Sequence, residues 1–155
     1  MDRVPPSQPT VESFPVALIV SKFNSPITET LKNGALERLL ARGLLPSDIY
    51  SIEVPGAVEI PLIALKLAAT KKYKALIALG AVIRGETDHY DYVCQIVSSG
   101  CSRVSLDYAI PVIFGILTTE NEAQAYDRLG GKHGHKGIEY ADSAIEMVQI
   151  IKDIG

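Results

Sequence analysis

The densest group of chemically able side chains lies at residues 84–89. There Arg84, Gly85, Glu86, Thr87, Asp88 and His89 follow directly on the apolar run ALIALGAVI. An imidazole with an ordinary pKa of about 6.5 suits proton transfer at neutral pH. Gly85 lets a ligand come close to the backbone, and Thr87 adds a hydroxyl. A helix opening at residues 85–87 would turn its first N–H groups and its positive dipole end toward an anion. The pattern describes an anion site with a proton-transfer group beside it. The plain alternative is a Thr or Asp helix cap without a ligand, and an exposed histidine in the first turn. Two further polar stretches share the same setting. Lys22, Phe23 and Asn24 follow the apolar run 16–20, and Gly56, Ala57, Val58 and Glu59 follow the run 49–54.

The elements around these stretches must bring them together. Residues 16–20, 49–54, 75–83 and 111–117 read as strands, because they are continuous apolar runs rich in β-branched residues. Helical spacing fills the gaps. Ser25 and Pro26 start a first helix, carried by Leu31, Ala35, Leu39 and Arg42 and closed by Gly43. Residues 55–61 read as a turn, and Ile63, Lys66, Leu67 and Thr70 continue a second helix. Val93, Val97, Cys101, Val104 and Tyr108 form one stripe of a third. Thr119 with Glu122 has the form of a capping box for a short helix ending near Gly130. Residues 130–137 read as a loop, and Ile138, Ala141, Ile145, Val148 and Ile151 make the last helix amphipathic. Strand and helix alternate without a hairpin signal. The expected fold is a three-layer α/β/α domain with a four-stranded parallel, flavodoxin-like sheet. Ligands of such sheets bind beyond the carboxyl ends of the strands, where all three polar stretches fall.

Composition narrows the partners. The 155 residues are 47% hydrophobic and 21% charged, with a net charge of −3, which suits one globular domain and argues against nucleic acid. The longest apolar run is too short to cross a bilayer, and the first residues, MDRVPPSQPTVES, lack the apolar core of a signal peptide. The expectation is a cytoplasmic chain with no membrane partner, an N-terminal arm at 1–14 and one domain at 15–155. Cys94 and Cys101 are about 10 Å apart along a helix, beyond disulfide reach, and read as buried apolar residues. His133 and His135 form a His-x-His pair, but no cysteine or carboxylate stands in zinc-like spacing with it, so no metal is expected.

Five stretches together resemble the lumazine synthase family: FNSPIT (23–28), VPGAVEIP (54–61), GAVIRGETDHYDYV (80–93), IPVIFGILTTEN (110–121) and GKHGHKG (131–137). They span nearly everything after residue 15, in the family's order. The resemblance implies a cofactor-free condensation in riboflavin biosynthesis. The substrates would be 5-amino-6-(D-ribitylamino)uracil and L-3,4-dihydroxy-2-butanone 4-phosphate. The products would be 6,7-dimethyl-8-ribityllumazine, phosphate and water. It implies that Phe23 stacks on the pyrimidine with Asn24 beside it. Ala57, Val58 and Glu59 would line the ribityl side, and Ala81, Val82 and Ile83 would meet the pyrimidine edge through backbone groups. Gly85, Glu86 and Thr87 would bind phosphate, and His89 would act as general acid and base. Phe114, Arg128 and Lys136 would come from a neighbouring subunit, with Arg128 on the phosphate and Glu139 beside Lys136. Val58 stands where many relatives carry an aromatic residue, and His133 and His135 stand where Ala and Asn are usual. The family's pentamers, and the compact 130–137 segment, favour a homo-oligomer built up to a sixty-subunit icosahedral shell. Riboflavin synthase is the implied partner enzyme.

Two other classes compete. A flavodoxin-like mononucleotide-binding protein would need a hydroxyl- or glycine-rich phosphate loop after the first strand, and SKFNSPIT is a poor one. A non-catalytic shell protein would not need His89, Arg128 and Lys136 together.

Overall fold

The structure is a computed structural model and describes residues 9–155. The four apolar runs become β1 (Val16–Ser21), β2 (Ile49–Val54), β3 (Ala75–Ile83) and β4 (Val112–Thr119). They pair in the order β2-β1-β3-β4, and every pairing is parallel. The expected sheet is the observed one. Its register joins Val16 to Ile49 and to Ala75, and Leu76 to Val112.

A parallel sheet of this kind has to be covered on both faces. The helices α1 (Ser25–Ala41) and α5 (Lys136–Ile154) cover one face; α2 (Ile60–Ala69) and α3 (His89–Tyr108) cover the other. The strands supply both cores by alternation. Val16, Leu18, Val20, Ile77 and Leu79 pack with Leu31, Leu39, Ala141 and Ile145. Ala17, Ile19, Leu76 and Ala78 pack with Ile60, Ala64, Val97 and Cys101. On the first face Asp142 of α5 receives two guanidinium groups, that of Arg38 in α1 at 3.2 Å and that of Arg42, which caps α1, at 3.0 Å. Among the described residues, no helix is long and apolar enough to cross a membrane.

Several boundaries differ from the sequence expectation, each for a local reason. The segment 55–61 is only partly a turn: a single 3₁₀ turn, Ala57–Glu59, leads directly into α2. Because α2 opens at Ile60, its buried stripe is Ile60, Ala64 and Ala68, while Lys66 and Thr70 are exposed. The third helix begins at His89 and not at residues 85–87. The Thr87 hydroxyl accepts the His89 N–H at 3.3 Å, and the Asp88 carbonyl accepts those of Asp91 and Tyr92 at 3.0 and 3.3 Å. The cap of the short α4 (Glu122–Tyr126) is Asn121, whose side chain accepts the Gln124 N–H at 2.8 Å. Thr119 instead closes β4, and its hydroxyl donates to the Asn121 carbonyl. Residues 130–137 are no plain loop. They carry a small antiparallel hairpin, β5 (Leu129–Gly131) and β6 (Gly134–His135), with Gly134 taking the left-handed φ of 76° that the turn requires. Of the two cysteines only Cys101 is fully buried; Cys94 is half-buried, and both are free.

The first eight residues of the expected N-terminal arm lie outside the described residues. Residues 9–15 are tied to the fold: Val11 N–H donates to the Arg42 carbonyl, Arg42 Nε donates to the Pro9 carbonyl, and Phe14 is 9% exposed.

Candidate active site at the strand ends

The chain leaving β1 stays bonded to the chain leaving β2. Lys22 N–H donates to the Val54 carbonyl at 2.8 Å, and Phe23 N–H to the Pro55 carbonyl at 3.1 Å. This pairing holds the Phe23 ring outward, 70% exposed, as an apolar plane at the carboxyl end of the sheet. Asn24 then takes a left-handed conformation, φ 64°, which Asn tolerates better than most residues. Its Nδ2 donates to the Ala81 carbonyl at 2.9 Å. One side chain thus binds the end of β1 to the end of β3, with β2 already attached.

The turn after β2 folds on itself. Glu59 Oε1 accepts the Gly56 N–H at 2.9 Å, which leaves the second carboxylate oxygen for a partner. Ala57 is buried, while Val58 is 37% exposed, so the turn presents an aliphatic side chain at its rim. Ala81 is buried, and Val82 and Ile83 are half-buried as β3 reaches the surface. Beyond them residues 84–89 are all exposed, and nothing stands within 4 Å of the place a side chain would occupy at Gly85. His89 is the first residue of α3, a helix of 20 residues, so its ring lies at the positive end of that helix.

Arg84 belongs to the same sequence cluster, and its contacts come only with the fold. Its guanidinium pairs with Asp91 at 3.2 Å and with Glu120 at 2.8 Å, and stands 4.3 Å from the centre of the Tyr90 ring. None of these partners is marked by sequence spacing, since Glu120 arrives only through the pairing of β4 with β3.

The remaining predicted residues lie elsewhere. Phe114 sits in β4 beside Cys101, Ser105 and Leu106, away from the carboxyl ends and 38% exposed. Arg128 and Lys136 flank the small hairpin, joined by a bond of 2.7 Å from Lys136 N–H to the Arg128 carbonyl. Lys136 Nζ pairs with Glu139 at 3.2 Å, as the sequence reading allowed. Arg128 Nη1 meets His133 Nδ1 at 3.2 Å and the Gln124 carbonyl at 3.5 Å. Among the described residues, none of these three bonds to a strand-end residue of its own chain. The fold therefore gathers Phe23, Asn24, Ala57, Val58, Glu59, Ala81, Val82, Ile83, Gly85, Glu86, Thr87 and His89 at one end.

The second histidine of the His-x-His pair is structural. The His135 ring fills a notch on α1: a Cβ at Gly34 would fall 2.3 Å from its Cε1. Its Nδ1 is buried without a hydrogen-bond partner. Burial pushes the imidazole pKa below its usual value, with Glu37 and Glu139 opposing. Among the described residues, no group of three or more His, Cys, Asp or Glu side chains is placed to hold a metal ion.

The strand-end arrangement offers an aromatic plane, a carboxylate oxygen, backbone groups at an exposed β3 end and an imidazole at a helix start. It suits a flat heterocycle with a hydroxylated chain, next to an anionic group and a proton to be moved. The sequence model of the family described as 6,7-dimethyl-8-ribityllumazine synthase matches residues 13–152. Curated relatives carrying that description occur in Coxiella burnetii. Those of strains CbuG_Q212 and RSA 493 / Nine Mile phase I are each 53% identical over 145 residues, covering 94% of this chain and 96% of the relative. That of strain Dugway 5J108-111 is 52% identical over the same span.

Proposed function

The chain belongs to the 6,7-dimethyl-8-ribityllumazine synthase family, and from that premise we propose how its residues divide the condensation. The reaction joins 5-amino-6-(D-ribitylamino)uracil to L-3,4-dihydroxy-2-butanone 4-phosphate, releasing phosphate and water. Phe23 supplies the stacking plane for the pyrimidine. Ala81, Val82 and Ile83 meet its edge, while Asn24, its amide already committed to the Ala81 carbonyl, holds that edge in place. Glu59 takes the ribityl hydroxyls on its open oxygen, against Ala57 and Val58. Gly85, Glu86 and Thr87 receive the phosphate through backbone N–H groups and the Thr87 hydroxyl. His89 moves protons as the amine attacks the ketone and phosphate leaves. Arg128, Lys136 and Phe114 complete the site from an adjacent subunit of a pentamer, Arg128 giving the phosphate its fork of donors.

The observation that carries the reading is the convergence of Phe23, Glu59 and His89 at one sheet end, in a chain the family model matches from residue 13 to residue 152. The same reading makes residues 15–155 one domain and places the chain in the cytoplasm. It also extends the pentamer to a sixty-subunit shell, with riboflavin synthase as partner enzyme.

The test is turnover. The purified protein and both substrates should release one phosphate per lumazine, the latter followed by its absorbance. A folded protein that forms no lumazine defeats the reading. Tight flavin binding with redox activity would then favour a flavodoxin-like protein, and neither activity would favour a non-catalytic shell protein. Light scattering that finds only free pentamer would defeat the shell.

A further inference from the structure

Arg84 is the first residue beyond β3, and the division of labour above gives it no substrate contact. Its backbone N–H donates to the Thr119 carbonyl at 2.9 Å, so the chain leaving β3 remains attached to the end of β4. The side chain then turns back across the loop that it opens. Nη2 donates to Asp91 Oδ1 at 3.2 Å, Nε faces Glu120 Oε2 at 2.8 Å, and the guanidinium carbon lies 4.3 Å from the Tyr90 ring centre. Thr118 of β4 and Cys94 lie beside the Tyr90 hydroxyl. Two nitrogens, the charge and the face of one planar group are engaged. A lysine ammonium in the same place has neither the fork nor the face.

The loop so bracketed is weakly held otherwise. Residues 84–89 are exposed, Gly85 has no neighbour within 4 Å of its side-chain position, and the Thr87 hydroxyl bond to His89 N–H is long at 3.3 Å. Exposed ion pairs add little to folding stability. The weight of the arrangement therefore falls on where it sets the loop.

We propose that Arg84 is a positioning residue of the condensation. It clasps residues 84, 90 and 91 to the end of β4, and so fixes the phosphate-binding backbone at 85–87 relative to the His89 ring. The proposal rests on the phosphate and proton-transfer reading of that loop.

Arg84→Lys keeps the charge and removes the fork and the stacking face. In the assembled protein, with melting temperature unchanged, it should lower kcat/KM for the butanone phosphate by about 100-fold, the size of loss that follows a misplacement of about 1 Å. The KM for the pyrimidine should stay as it was. Asp91→Asn and Glu120→Gln should each give smaller losses of the same kind. The double variant of Arg84→Lys with Asp91→Asn should lose no more than Arg84→Lys alone, because both cut one clasp. These two carboxylate variants carry the test if Arg84→Lys fails to assemble.

A second readout needs no turnover. The chain has three histidines, so the His89 imidazole signals can be resolved by NMR. They should move in Arg84→Lys, while those of His133 and His135 stay. If wild type makes no lumazine and yet the His89 signals move, the function reading fails and the clasp stands. Wild-type kinetics for both substrates in Arg84→Lys overturn the proposal. So does a loss shared equally by both substrates with a lowered melting temperature, which marks a merely structural role.

Discussion

Two histidines at helix starts, His89 at α3 and His135 at α5, have opposite surroundings, and side-chain chemistry alone does not distinguish them. His89 stands in the open at a helix end, whereas His135 is packed into α1 with an unpartnered Nδ1. The buried ring resists protonation, so its folded pKa lies below that of the unfolded chain. Between those two values the unfolded state binds the extra proton. Stability from this group is therefore complete above about pH 6.5 and falls as the pH drops below it, levelling once the folded ring is itself protonated. Urea unfolding between about pH 7 and about pH 5 should show that decline, and His135→Asn should reduce it. An equal slope in both proteins would assign the decline to other groups.

Among the elements, the hairpin between α4 and α5 was the least legible in sequence. Its strands are three and two residues long, and its turn is Lys132 and His133, with no Asn-Gly or Asp-Gly signal. The four long strands were read almost to the residue, because a strand buried on both faces must be a continuous apolar run. The start of α3 at His89 is less legible, since Asp88 caps it without a side-chain bond and the Thr87 hydroxyl turns toward His89 N–H, and composition does not reveal rotamers. Gly34 shows the same limit from another side. In the interior of a 17-residue helix a glycine reads as a cost of about 1 kcal/mol relative to alanine. Folded, it is the floor of the notch that receives His135. Gly34→Ala should therefore destabilise the protein by about 1–3 kcal/mol, despite its better helix propensity. It should also weaken use of the butanone phosphate, because the displaced hairpin carries Arg128 and Lys136. Thermal unfolding and the KM of each substrate check both outcomes; a gain in stability would show that the ring moves aside freely.

At the scale of the whole molecule, the proposed sharing of site residues between subunits makes a direct prediction. The strand-end group contains His89, and the hairpin group contains Arg128. In a ring each subunit would lend half of two different sites. Unfolded His89→Ala and Arg128→Ala chains, mixed equally and refolded together, should recover about a quarter of wild-type activity per site. Mixed rings, verified by pulldown of a tagged chain, that retain only the average of the two parents would place both residues in one chain's site. The sheet itself carries a further consequence. Because both its faces are apolar, polarity does not oppose a slip of β3 by one residue, which in a half-solvated sheet would be punished at once. Size opposes it instead. At Gly80 a Cβ would already stand 3.1 Å from Ser21 Oγ and 3.2 Å from Ile116 Cδ1, and at Gly115 a Cβ would stand 2.5 Å from the Ala78 carbonyl oxygen. Neither Leu79 nor Ala81 can take the Gly80 station without displacing those neighbours. A slip would also carry Arg84 about 3.3 Å along the strand and turn it to the opposite side of the sheet. The Gly80 station thus opposes an off-register β3 by volume, because a side chain there crowds Ser21 and Ile116.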